Sequence, residues 1–357
     1  MINLLIENND LWTYLQSADK PVVMYGMGNG ADKILAVCEK YGIEICDFFA
    51  SDGFVRGHSF HGKTVLSYSE IKEKYKDFIA LVSFATALPD VLERIYSIAD
   101  EVELYVPDVP VFGETLFTRE LVEKNAEKIR RCAELFADEE SMRVYESVIN
   151  AKLTGKISHL RASETTKEAV YREILHPQNY RTYADLGAYN GDTVRELLEF
   201  APDLELAVAL EPDGRNFRKL SDYAQNESRL TLELHNTGAW SHADTLFFDG
   251  SGNRNANISS AGKKTKEVRV DALDNILQGR SVDYIKYDVE GSERQALEGS
   301  KETISRHSPD LLVSMYHRSE DIFELPLILH ELNPSYRLYL RRFSYLPAWD
   351  LNLYAIK

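Results

Sequence analysis

The stretch Asp185-Leu186-Gly187-Ala188-Tyr189-Asn190-Gly191-Asp192 decides how this 357-residue chain is read. Tyr183 and Ala184 lead into it, and Thr193 to Phe200 continues it with helical spacing. Strand, glycine turn and helix in that order make a binding loop for a nucleotide-like ligand. Glycines at 187 and 191 let the backbone approach such a ligand with no Cβ in the way. The next apolar strand, Leu206 to Leu210, ends in Glu211-Pro212-Asp213, and an acidic side chain at the tip of a second strand suits a ribose diol. The pattern Gly-x-Gly-x-x-Gly is absent from the turn, which favours a nucleoside without phosphates over a dinucleotide.

S-adenosylmethionine is a ligand of that kind. Four blocks follow in order: DLGAYNGDT from Asp185, LEPD from Leu210, NTGAW from Asn236 and IKYDVEGSE from Ile285. From roughly Tyr180 to the C-terminus the chain thereby resembles the FkbM family of S-adenosylmethionine-dependent methyltransferases. The last block is the most specific, with Lys286, Asp288 and the Glu290-Gly291 pair at the end of a fourth strand. The resemblance implies an α/β fold with the seven-stranded, Rossmann-like sheet of class I methyltransferases and S-adenosyl-L-methionine as cofactor. It also implies a hydroxyl of a sugar or other small metabolite as acceptor.

The strands of that sheet are expected at Thr182 to Leu186, Leu206 to Leu210, Thr231 to His235, Tyr284 to Tyr287, Leu311 to Met315, Arg337 to Leu340 and Leu353 to Ile356, with a C-terminal antiparallel edge. An insertion between the third and fourth reads as a hairpin, Thr245 to Phe248 and Glu267 to Val270. Its tip, residues 250–264, is rich in Gly, Asn and Ser and is expected to be mobile.

Cofactor contacts are assigned to Asp185, Gly187, Ala188, Tyr189, Asn190, Gly191 and Thr193 of the loop, and to Glu211, Pro212 and Asp213. Glu211 is expected to accept the ribose hydroxyls, whereas Asp213 could equally begin the next helix. Asp192 and Thr193 start a helix and could cap it. Thr237, Gly238 and Ala239 follow the third strand, where small residues leave room for adenine; Trp240 could stack on the ring or belong to the core. Asp288 and Glu290, two residues apart, would share one face of an extended strand with Lys286 as their neutralising partner. Asp288 also borders the cofactor. His317, at the end of the fifth strand, is a candidate base for an acceptor proton, and Tyr316 and Arg318 could shape the acceptor pocket. No metal is assigned, although Asp288, Glu290 and His317 could in principle coordinate a hard cation. An N-methyltransferase acting on an amino-sugar and a catalytically silent nucleotide-binding scaffold are the alternatives.

Upstream, residues 1–113 read as a smaller Rossmann-like α/β domain. Its strands are expected at Pro21 to Tyr25, Glu44 to Ala50, Phe78 to Phe84 and Val102 to Val106, with a helix over Ala31 to Tyr41. A nucleotide or nucleotide-sugar is the candidate ligand of its turn, held by Gly26, Gly28 and Gly30 with Asp52 on the ribose; a degenerate turn without ligand is the alternative. Residues 114–179 have amphipathic helical spacing and read as a connector, with Tyr171, Arg172 and His176 as candidate lid residues. Residues 180–357 form the methyltransferase domain.

Composition narrows the classes further. With 57 acidic against 41 basic residues, the net charge of −16 argues against a general nucleic-acid binder. No apolar run approaches the length of a membrane span, and the N-terminus lacks a signal-peptide pattern. Three cysteines without metal-ligand spacing (Cys38, Cys46, Cys132) read as reduced thiols in a cytoplasmic protein.

Overall fold

Short, largely apolar strands that alternate with helices pair most readily in parallel, each helix serving as the crossover. In the computed structural model, which describes residues 7–55, 57–249 and 265–357, this produces two sheets. The larger has seven strands in the order Thr231–His235, Leu206–Leu210, Thr182–Leu186, Tyr284–Tyr287, Asp310–Ser314, Leu351–Ile356 and Arg337–Arg342. The first five are parallel. The C-terminal strand Leu351–Ile356 is antiparallel to both neighbours, but it lies inside the sheet and Arg337–Arg342 forms the edge. A strand hydrogen-bonded on both sides is buried throughout, and Leu351–Ile356 is so at every position.

This strand order places the topological switch point between Thr182–Leu186 and Tyr284–Tyr287, the crevice where open α/β sheets bind ligands. The register there sets Lys286 opposite Asp185. The insertion is a hairpin, Asp244–Asp249 antiparallel to Thr265–Asp271. The expected mobile tip, residues 250–264, lies outside the described residues.

The smaller sheet is parallel, in the order Leu66–Ser67, Ile45–Ala50, Val22–Tyr25, Ile79–Val82 and Glu103–Tyr105. Its two-residue edge strand was not expected, because two residues carry no periodicity to read. Between the sheets, Ala126–Leu135 packs on Asp321–Leu332, and Glu139–Thr154 packs on Arg337–Arg342. The latter helix is capped by Asp138, whose carboxylate also pairs with Arg341 at 2.6 Å. One apolar core runs from Val23 and Tyr25 through Phe117 and Val148 to Leu311 and Leu353. The three cysteines are free, and burial pushes the Cys38 and Cys132 thiols up to about 12, which keeps them unreactive. Among the described residues, no helix is long and apolar enough to cross a membrane.

Candidate active site

The strand Thr182–Leu186 carries Asp185 into the interior, where its side chain is 0% exposed. Thr193 Oγ1 donates to it from the following helix, and Lys286 Nζ lies 3.4 Å from its Oδ1. The same ammonium is 3.5 Å from Asp288 Oδ2 and donates to the Gly187 carbonyl at 3.4 Å. Lys286 therefore joins the first and fourth strand ends. Burial opposes its charge, but Asp185 and Asp288 hold its pKa above the ordinary lysine value. The two carboxylates diverge. Burial pushes Asp185 up in spite of the lysine. For Asp288 burial acts the same way, but Lys286 and His317 outweigh it and hold the carboxyl below its usual range.

The glycine turn packs directly on this junction. Gly187 has φ +91°, and a Cβ there would sit 2.0 Å from the Asp288 carbonyl oxygen. Ala188 is buried, and Tyr189 (φ 47°) is 44% exposed beside the turn. Asn190 is tied to Arg195, which donates to its Oδ1 at 2.8 Å and its carbonyl at 3.0 Å. Gly191 is the N-cap of the helix Asp192–Phe200, so neither Asp192 nor Thr193 caps it.

Glu211 is 6% exposed, and its carboxylate accepts from Tyr189 N at 2.9 Å and Asp213 N at 2.7 Å. Burial pushes its pKa up. The Asn216 side chain also donates towards this carboxylate, and its remaining acceptor capacity is open to a ligand hydroxyl. For Asp213, given from sequence either a cofactor contact or the start of the next helix, the structure shows the second role. It is the N-cap of the helix Gly214–Asn226 and accepts from Arg215 N and Asn216 N.

Beyond the third strand, a cavity of about 650 Å³ opens against the hairpin, lined by Leu234, Asn236, Thr237, Thr245, Arg269 and Ile276. Thr237 Oγ1 donates to the Arg269 carbonyl at 3.0 Å. Gly238 and Ala239 pair with Val270 and Asp271 instead of lining that space, while Gly238 packs against Pro212. Trp240 does not line it either.

The fourth strand ends at Tyr287, and Glu290 lies in a turn at φ 53°, so side-chain alternation does not govern it. The turn nevertheless brings both carboxylates to His317, 1% exposed: Nε2 is 3.6 Å from Asp288 Oδ1 and 3.7 Å from Glu290 Oε2. On the other side of the ring, Nδ1 is 2.8 Å from Oε1 of Glu293. Glu293 was missed from sequence, although it is the last letter of IKYDVEGSE; its Oε1 also accepts from Val289 N at 3.0 Å.

Burial alone would lower the His317 pKa, but Glu293, Asp288 and Glu290 raise it to about 9. A pKa raised in this way counts against the ring acting as a free base near neutral pH, the role expected of it from sequence. Because the folded pKa lies above the unfolded value of about 6.5, the stabilisation is complete below that value and disappears as pH rises through about 9. Unfolding titrations in a chelator between about pH 6 and 10 should show wild type losing roughly 3 kcal/mol more than His317→Gln. Parallel curves would exclude the ion cluster.

On the other side of Asp288 lies a cavity of about 130 Å³, lined among others by Tyr171, Tyr183, Lys286, Tyr316 and Asp350. Tyr316 donates to Asp288 Oδ1 at 3.1 Å. Of the candidate lid residues only Tyr171 lines this cavity, joined from the same helix by Lys167, whereas Arg172 and His176 are exposed at the surface. Arg318 instead supports the turn, donating to the Gly291 carbonyl at 2.9 Å and lying 4.4 Å over the Phe112 ring.

In the smaller sheet's turn, Cβ atoms at Gly26 and Gly30 would strike Ser83 and Phe84, so packing accounts for both glycines; only Gly28 faces open space. Asp52 accepts from Ser69 N at 3.2 Å and Ser69 Oγ at 2.6 Å.

Residues 185–346 match the family described as the methyltransferase FkbM domain. A crystal structure of methyltransferase FkbM from Methylobacillus flagellatus KT is similar over 97% of this chain and 92% of its own, at 21% identity and TM-score 0.71. At that identity the likeness shows the fold alone, a class I methyltransferase sheet beside a second α/β unit. Aeropyrum pernix fibrillarin with natively bound S-adenosyl-L-methionine aligns over 51% of this chain and 69% of its own (12% identity, TM-score 0.34). A precorrin-6y C5,15-methyltransferase from Geobacter metallireducens GS-15 aligns over 55% and 90% (13% identity, TM-score 0.35). No curated protein matches the chain.

Proposed function

We propose that this chain is an S-adenosylmethionine-dependent methyltransferase that methylates a hydroxyl of a sugar or another small polyhydroxylated metabolite. The observation that carries this reading is the position of Asp288. Its backbone lies against Gly187 of the nucleoside loop, and its carboxylate faces the tyrosine-lined cavity. Cofactor side and acceptor side meet at one residue.

The residues present fit the cofactor. The turn at Gly187 is a cradle that any Cβ would obstruct, and Glu211 offers spare lone pairs to a diol. The cavity beside Thr237 has room for a flat ring. Asp185, fully buried between Thr193 and Lys286, positions the loop without facing a ligand. When bound, S-adenosylmethionine supplies an electrophilic methyl group and a leaving group that needs no proton. The acceptor hydroxyl must still lose its proton as it attacks. Asp288 is placed to take it, ionised under the influence of Lys286 and held in orientation by Tyr316 and His317. Tyrosine rings interleaved with Glu196, Asp288 and Asp350 give the acceptor cavity apolar faces and hydrogen-bond acceptors, which suits a polyol.

Calorimetry with S-adenosylhomocysteine tests the cofactor half. Wild type should bind, and Glu211→Ala should lose at least about tenfold in affinity through the diol contact, worth roughly 1.5–3 kcal/mol for a charged acceptor. Undiminished binding would place the nucleoside elsewhere. For the acceptor half, radiolabelled methyl transfer to a panel of sugars should fall in Asp288→Asn by about 10²-fold or more with cofactor affinity nearly intact. The opposite split would make Asp288 a cofactor residue only.

A further inference from the structure

The side of Asp288 away from the acceptor cavity holds a feature that methyl transfer alone leaves unexplained. His317 is 1% exposed, yet its Nε2 makes no hydrogen bond. The nearest carboxylate oxygens, on Asp288 and Glu290, are 3.6 and 3.7 Å away. An N–H···O bond reaches its limit near about 3.2 Å. Donors that share one cation are spaced more widely. With metal–donor bonds of about 2.0–2.2 Å, neighbouring donors in tetrahedral or octahedral shells lie roughly 2.8–3.6 Å apart. Donor atoms of Asp288, Glu293 and His317 lie within 4.8 Å of one another, so Glu293 belongs to the same cluster of groups around the ring.

The second side of the ring fits the same reading. Glu293, 1% exposed, lies 2.8 Å from Nδ1 without completing a hydrogen bond, close enough to serve as the ring's outer carboxylate once a cation displaces the Nε2 proton. We propose that His317 Nε2, Asp288 and Glu290 form a binding site for one divalent transition-metal cation, with Glu293 as the residue that orients the histidine. One imidazole and two carboxylates suit Mn²⁺, Fe²⁺ or Zn²⁺ better than Ca²⁺, which takes oxygen donors alone. Three protein donors leave coordination positions open, and the Glu290 side chain, 57% exposed, marks their route to solvent. An acceptor oxygen entering such a position would be made more acidic. That use rests on the reading of Asp288 given above; cation binding itself does not.

The full-length chain, stripped with a chelator, is titrated with Mn²⁺ and followed by electron paramagnetic resonance, with S-adenosylhomocysteine affinity measured on the same samples. The expected result is one ion per chain, pulsed spectra showing coupling to an imidazole nitrogen, and affinity reduced about 10–100-fold in His317→Ala and in Glu290→Gln. Glu290 is exposed, so Glu290→Gln keeps the test decisive if His317→Ala does not fold. No bound ion, or an ion without nitrogen coupling whose affinity Glu290→Gln leaves unchanged, overturns the site. Mn²⁺ binding without S-adenosylhomocysteine binding would support the site while sinking the methyltransferase reading.

Discussion

Lys286→Met should destabilise the fold by about 3–5 kcal/mol, the cost of leaving a buried charge without its partner. The stranded charge is that of Asp185, fully buried, which keeps the Thr193 hydroxyl as a donor but loses its cation. Asp288 suffers less, because its side chain is 30% exposed and water can replace the ammonium. The asymmetry suggests the rescue. Asp185→Asn in the Lys286→Met background removes the uncompensated charge while keeping an oxygen for Thr193, and should recover more than half of the lost stability. Coupling of this kind is expected between groups in direct contact. Denaturant unfolding of the two single variants and the double variant reads it directly. A Lys286→Met protein within about 0.5 kcal/mol of wild type would behave like an ordinary surface substitution and would exclude the bridging role.

Much of this site was legible before any coordinates. The strands at 182, 206, 231 and 284 were readable as short runs rich in apolar and aromatic residues that stop at Gly187, Glu211, Asn236 and Asp288, although only Leu206–Leu210 is apolar throughout. Glu211 was readable because it follows such a run directly. Three things were not. The inserted position of Leu351–Ile356 depends on strand order, which no local pattern encodes. Glu290 reaches His317 through a left-handed turn, so a strand-alternation argument named a residue near the histidine for a reason the backbone does not support. Glu293 escaped because it starts a helix, Glu293–Glu298, and an acidic residue in a first helical turn has an adequate local explanation in the helix dipole. Only the fold shows that it is buried against an imidazole. The upward push on the His317 pKa likewise comes from three carboxylates of the turn and the helix that follows it, invisible in the sequence around position 317.

Gly187→Ala should have the most concentrated effect of any single methyl group added to this chain. Two costs coincide there. A non-glycine residue at φ +91° is strained by roughly 1–3 kcal/mol. Its Cβ would also sit 2.0 Å from the Asp288 carbonyl oxygen, a backbone atom that cannot swing aside as a side chain could. To relieve the contact, the turn must part from the end of the fourth strand, which pulls the Gly187 carbonyl away from Lys286 and separates the nucleoside loop from Asp288. Stability should therefore fall by about 3 kcal/mol or more, and S-adenosylhomocysteine binding should fall at least tenfold in whatever fraction remains folded. Gly28→Ala separates the two causes. Gly28 has a similar φ of +93° with nothing within 4 Å of a built Cβ, so it tests strain without collision. It should cost about 1 kcal/mol and leave S-adenosylhomocysteine binding at the second sheet unchanged. Equal losses in the two variants would show that conformational strain alone selects glycine at 187, and the close approach of loop to strand that joins cofactor and acceptor would lose its support.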